Sequence, residues 1–209
     1  MKVIALIDCQ NDFIDGALGV GYDKWAGAYD YIEKKMLGGV SCATNGGVAS
    51  GADCIPKGVG RVPTGAGAGS EGVEIVFTQD FHPADHCSFG PQGGPWPAHC
   101  VQGTEGANFY WKLLPLLKLP NCKVLQKGCD SSREEYGINV LKESSGVTEV
   151  HIAGLCTDYC VKESAIMTAK ENPAVTVYVH LSGSAYIAED TMKAAVEEMK
   201  TVANIKVVR

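Results

Sequence analysis

Apolar residues in this chain gather in short runs rich in β-branched side chains, each closed by polar or turn-forming residues. Runs at 2–8, 73–78, 123–127, 149–155, 175–181 and 205–208 read as strands. Between them the spacing of apolar positions changes to a helical one, predicting helices over 24–37, 134–143, 161–170 and 189–200. Thr157 and Asp158 are helix-start residues ahead of the third of these. Strands that alternate with helices predict an α/β fold. The expected form is a single-domain three-layer sandwich over 1–209, with a six-stranded, mostly parallel sheet and helices on both faces. From 38 to 72 the pattern lapses into Gly, Ala and Ser, including a Thr64–Ser70 run of alternating glycine. Such a stretch buries little and costs much backbone entropy to order, so it reads as an irregular excursion and not as a domain boundary. It has no GxxxxGK[ST] pattern and no strand leads into it, so it is not read as a phosphate cradle.

Composition narrows the function classes. With 209 residues and 45% hydrophobic content the chain can bury one large core. A net charge of −6 and the lack of a basic run argue against nucleic acid as a partner. No apolar stretch reaches the roughly 18 residues of a membrane span, and the N-terminal run turns polar too soon for a signal peptide. Nine cysteines without a CxxC pair point to a reducing, cytoplasmic setting and not to a disulfide framework.

Candidate chemistry sits at the ends of the strands. Parallel strands align their carboxyl ends on one edge of the sheet, where ligands bind. The run 2–8 ends on Asp8, 123–127 ends on Lys127, and 149–155 leads into a helix start that carries Cys160. Unpaired N–H groups and the helix dipole there favour a thiolate, the nucleophilic form. Asp8 could take the thiol proton if burial raised its pKa, Lys127 could hold the negative charge that passes between them, and the N–H groups of Cys156 and Cys160 could receive an oxyanion. Each has a plainer reading: Cys160 as core filler, Lys127 as a rim residue, and nearby Asp12 as a turn former.

Of the five histidines, three fall between 82 and 99, in a loop stiffened by Pro83, Pro91, Pro95 and Pro97. Asp80, His82, His86 and His99 can offer one oxygen and three nitrogens to a divalent ion. A solvated polar loop is the other reading of the same residues. His151 and His180 lie in or near strands and read as structural.

The segments Asp8-Cys-Gln-Asn-Asp-Phe13, Asp80-Phe-His-Pro-Ala-Asp-His86, Trp96-Pro-Ala-His99-Cys, Lys127-Gly and Gly154-Leu-Cys-Thr-Asp-Tyr-Cys160 resemble, in order along the chain, the nicotinamidase/pyrazinamidase family of the isochorismatase-like cysteine hydrolases. The resemblance implies Cys160 as nucleophile, Asp8 as base and Lys127 as the third member. It implies Asp80, His82, His86 and His99 as ligands of one divalent metal; zinc is expected on availability, with iron, manganese or nickel also suited. Phe13 and Trp96 match the aromatic residues that flank the substrate ring, and the Leu155–Cys156 bond matches a cis peptide. The implied activity is hydrolysis of nicotinamide, or a similar pyridine carboxamide, to the acid and ammonia through a thioester, as in salvage of pyridine nucleotides. Alternatives are an isochorismatase-type or other small-amide cysteine hydrolase without the metal cluster, and a non-enzymatic metal or redox module. The long Gly-rich stretch departs from the family's usual first connection and leaves homo-oligomer contacts open. Cys9 and Cys156 are extra thiols beside the site, read as filler or, for Cys156, as a partner for an oxidised Cys160.

Overall fold

A computed structural model of the protein describes residues 1–38 and 72–209. The Gly-rich excursion therefore lies outside the described residues, apart from Gly38 and Gly72. The six runs form strands β1 (Lys2–Ile7), β2 (Val73–Asp80), β3 (Cys122–Lys127), β4 (Glu149–Leu155), β5 (Thr176–Ala185) and β6 (Ile205–Val208). They build one sheet in the order β3-β2-β1-β4-β5-β6, with every ladder parallel. β1 shows why the sheet is sandwiched. Ile4 and Leu6 enter one core with Trp25, Phe77 and Leu113, whereas Val3, Ala5 and Ile7 enter the other with Ile152, Val161 and Met199. A strand apolar on both faces needs cover on both.

Cover comes from α1 (Asn11–Ile14) and α2 (Tyr22–Tyr31), followed by a wider turn Ile32–Met36, and from α3 (Lys162–Glu171) and α4 (Glu189–Lys200). The strand order reverses between β1 and β4, the switch point at which open α/β sheets form their ligand crevice. β2 runs two residues further than its apolar pattern indicates, so Asp80 closes the strand in register with Lys127 of β3.

One expected element does not form. Residues 134–143 carry no helix; they run as an irregular segment against α3. The N–H groups of Ile138 and Val140 donate to Ser164 Oγ and Thr168 Oγ1 of that helix, and Gly137 lies so close to Glu163 that a Cβ would meet its main-chain carbon at 2.6 Å. Side-chain acceptors on a neighbouring helix replace the local i→i−4 bonds that the apolar spacing suggests. Conversely, Trp111–Lys118 winds into 3-10 turns around Pro115, which the strand-and-helix pattern did not reveal.

Candidate active site

The four charged or nucleophilic strand-end residues meet at the switch point. Lys127 Nζ lies 2.9 Å from Asp8 Oδ2, 3.6 Å from Cys160 Sγ, and forms a hydrogen-bonded ion pair with Asp80. Ligand atoms of Asp8, Asp80 and Cys160 all fall within 4.8 Å of one another. None of these four residues is more than 5% exposed. Two backbone features make the approach feasible. Asp8 has φ of 44°, an uncommon conformation for a non-glycine residue that turns the chain sharply off β1. Gly154, at φ 129°, faces the main chain of Ile7, and a Cβ there would stand 2.2 Å from the Ile7 carbonyl oxygen; only glycine lets β4 come this close to β1. The Leu155–Cys156 bond is cis, as the family resemblance implies. After it, Thr157–Val161 forms a wide turn that carries Cys160 into α3.

Electrostatics at this cluster differ from the thiolate expected at a helix start. Burial pushes the Cys160 thiol well above its usual range, and Lys127 opposes this without reversing it. Burial also raises Asp8, helped by Asp80 and countered by Lys127 and by Thr78, whose hydroxyl donates to Asp8 Oδ1 at 2.6 Å. Burial would raise Asp80 too, but Lys127 and His82 bring it down to about 2. Burial works against the charge on Lys127, yet Asp8 and Asp80 hold its pKa well above the ordinary lysine range. The resting cluster is thus a thiol beside an ion-paired carboxylate with a raised proton affinity.

Next to it, Asp80, His82 and His99 present ligand atoms within 4.8 Å of one another, all buried. His82 and the segment after His99 pair directly, with His82 N–H donating to the Cys100 carbonyl and Gln102 N–H to the His82 carbonyl. His82 Nδ1 lies 3.0 Å from the Gly128 carbonyl and His99 Nδ1 2.8 Å from that of Pro97. A carbonyl only accepts, so each Nδ1 carries the proton and each Nε2 a lone pair. His82 Nε2 is buried without a hydrogen-bond partner, 3.6 Å from Asp80 Oδ2. An orphaned buried nitrogen beside a carboxylate and a second imidazole is a donor set that fits a divalent ion. Gly128 completes the wall: a Cβ there would meet the His82 ring at 2.3 Å. His86 stands beside this group and not within it. Its ring lies 4.2 Å from that of His82, but its nitrogens face Ser88 Oγ at 2.7 Å and the Arg133 carbonyl at 3.1 Å.

Above both groups opens a pocket with Asp80, His99, Cys156 and Cys160 in its lining. Phe13 and Trp96 are among its walls, joined by Leu18, Glu134, Tyr136, Tyr159 and Ile187, which the sequence alone did not single out. Tyr136 accepts from Trp96 Nε1 at 2.9 Å, and Tyr159 meets the Trp96 ring edge-on at 5.3 Å. Thr78, Gln10 and Asp158 were also missed. Asp158 accepts from the N–H groups of Ile187 and Ala188 and from the Thr191 hydroxyl, and so ties the chain entering α4 to the neighbouring turn. All of these act through partners at least 29 positions away, and a single sequence carries no local signal for that.

A buried thiol, carboxylate and ammonium at the crevice of a parallel sheet form a set suited to hydrolysis through a cysteine nucleophile. Residues 66–207 match the Isochorismatase domain family. The chain belongs to that family, within its nicotinamidase/pyrazinamidase branch: it is 30% identical over 210 residues to a nicotinamidase/pyrazinamidase of Mycobacterium tuberculosis, covering 96% of this chain and 95% of the relative. Among solved structures it is similar to the pyrazinamidase of Pyrococcus horikoshii in complex with zinc, with 28% identity, a TM-score of 0.71, and cover of 100% and 98% of the two chains. It is likewise similar to the yeast nicotinamidase Pnc1p, at 25% identity and a TM-score of 0.73, covering 100% and 99%.

Proposed function

We propose that the protein hydrolyses nicotinamide, or a closely similar pyridine carboxamide, to the carboxylic acid and ammonia. The observation that carries this reading is the Asp8–Lys127–Cys160 cluster, whose Cys160 lines an aromatic-walled pocket. Phe13 and Trp96 flank the ring and leave its carboxamide over Cys160. As Sγ attacks the carboxamide carbon, its proton passes to Asp8, whose raised pKa makes it a competent acceptor. Lys127 stays charged throughout and offsets the negative charge as it moves from carboxylate to sulfur. The N–H groups of Cys156 and Cys160 receive the oxyanion. Collapse expels the amine, which takes the proton from Asp8 and leaves as ammonia. Water, deprotonated by Asp8, then cleaves the thioester and frees the acid and the thiol.

Asp80, His82 and His99 would hold one divalent ion, with His86 as fourth ligand once its bond to the Arg133 carbonyl is exchanged. Bound there, the ion would supply an anchor for the ring nitrogen and Lewis acidity toward water. Zinc suits three imidazoles and a carboxylate. The seven cysteines among the described residues are free, which supports a reducing, cytoplasmic setting; among the described residues no helix is long and apolar enough to cross a membrane.

Two substitutions test the chemistry. Cys160→Ala removes the nucleophile and should abolish ammonia release while the melting temperature stays close to that of the parent. Asp8→Asn keeps the shape but cannot accept the thiol proton, and acylation should fail. Turnover retained in Cys160→Ala would overturn the assignment.

A further inference from the structure

Asp8 and Phe13 enter the chemistry above, but Gln10 and Asp12, between them in the same motif, do not. We infer that Gln10 and Asp12 form a positioning bracket that holds the two metal-ligand segments, Asp80 and the His99 loop, in one fixed relation to β1. The inference rests on the metal-ligand reading of those segments and extends it to residues that touch neither metal nor substrate.

The Gln10 side chain is fully buried, and both ends of its amide are spent on main chain. Oε1 accepts from Asp80 N–H at 2.8 Å, while Nε2 donates to the Asp80 carbonyl at 2.8 Å and to the Ala107 carbonyl at 2.9 Å. One side chain thereby fixes both peptide groups of Asp80, the residue shared by Lys127 and His82. Asp12 does the same for the other segment. Its Oδ2 accepts from Cys100 N–H at 2.7 Å, immediately after His99, and its Oδ1 from Ala17 N–H at 3.3 Å. Cys100 has φ of 46°, a conformation that its N–H bond to Asp12 helps to hold. A Cβ at Gly106 would stand 2.0 Å from the Asp12 carboxylate, so that loop approaches only as glycine. Main-chain bonds repeat the pattern, with Asn11 N–H donating to the Asn108 carbonyl and Asp12 N–H to that of Gly106. Supporting hydrogen bonds of this kind set ligand orientation, and their loss costs about 10–100-fold in metal affinity.

The test needs a control that destabilises without touching the site. Asn204 supplies it: its side-chain amide also donates to main chain, at the carbonyls of Ala169, Asn172 and Val175, beside β6. Gln10→Glu, Asp12→Asn, Asp12→Ala and Asn204→Ala would be compared for melting temperature without metal, zinc affinity by chelator competition, and amide exchange at Asp80 and Cys100. We expect about 10-fold weaker zinc binding for Gln10→Glu and Asp12→Ala. Asp12→Asn, which keeps one acceptor, should fall between, and Asn204→Ala should melt lower with parental affinity. Parental zinc affinity in Gln10→Glu and Asp12→Ala would overturn the bracket. If the parent itself takes up no zinc, the ligand reading fails and amide exchange decides the bracket. Faster exchange at Asp80 in Gln10→Glu and at Cys100 in Asp12→Ala supports it, and unchanged exchange refutes it.

Discussion

Two groups of histidines in this fold both bring imidazoles together and differ in what their nitrogens do. On β4 and β5, His151 Nδ1 faces His180 Nε2 at 2.8 Å, and His180 Nδ1 faces the Tyr31 hydroxyl at 3.0 Å. His151 also stacks on Tyr178 at 4.7 Å, with Glu149 3.5 Å from its Nε2. The pair spends its facing nitrogens on each other and ties α2 to the sheet. At the carboxyl edge, His82 and His99 spend one nitrogen each on carbonyls and turn the other inward beside Asp80. Proximity of imidazoles is therefore a poor sign of a ligand site. The informative sign is a buried nitrogen without a hydrogen-bond partner inside a group of ligand atoms. His82 Nε2 and His151 Nε2 both lack a partner, but of the two only His82 falls, among the described residues, in a group with two further ligands, Asp80 and His99, within 4.8 Å.

The largest expected contrast is in turnover. His82→Ala should lower metal content and ammonia release together, with turnover falling about 10³-fold, whereas His180→Asn should stay within about twofold of the parent in the same assay. Stability should separate the regions next. Lys127→Ala leaves Asp8 and Asp80 buried without their counter-charge and should cost about 3–5 kcal/mol in urea unfolding. His151→Ala removes one neutral hydrogen-bonded ring and should cost about 1–2 kcal/mol.

Acid offers a finer distinction. Burial, with help from His151 and Lys2, pulls His180 from 6.5 down to about 4. The native state then holds a neutral ring where the unfolded chain takes up a proton, so stability falls as pH drops from about 6.5 to about 4 and is unaffected above that window. Allowing for partial exposure of the ring, the loss should be about 1–2 kcal/mol. His180→Asn should flatten this part of a plot of unfolding free energy against pH. The smallest effect is expected at the pocket wall. Tyr136→Phe removes the acceptor of Trp96 Nε1, and KM should rise severalfold, in keeping with about 1 kcal/mol, with kcat little changed.

Most of the sheet was legible because its strands are buried on both faces, and an apolar β-branched run bounded by turns has few other readings. The strand-end residues Asp8, Lys127 and Cys160 could be aligned on one edge from the parallel alternation alone. Segment 134–143 was not legible, since Ser164 and Thr168 on another helix take the N–H groups that a local helix would have used. Gln10, Thr78 and Asp158 share this limit, as each acts on main chain or carboxylate brought near only by folding. The orientation of His86 depends on Ser88 and the distant Arg133 carbonyl, and spacing along the chain could not report it.

The most direct measurement is ammonia release from nicotinamide by the purified protein, taken before chelation, after chelation, and after divalent metal is restored. We expect ammonia and nicotinic acid in equal amounts from the untreated protein, loss of both on chelation, and recovery on adding zinc or another divalent ion. A metal-free protein that still hydrolyses nicotinamide at full rate would contradict the role given to Asp80, His82 and His99, and a metal-loaded protein that releases no ammonia would contradict the proposed reaction itself.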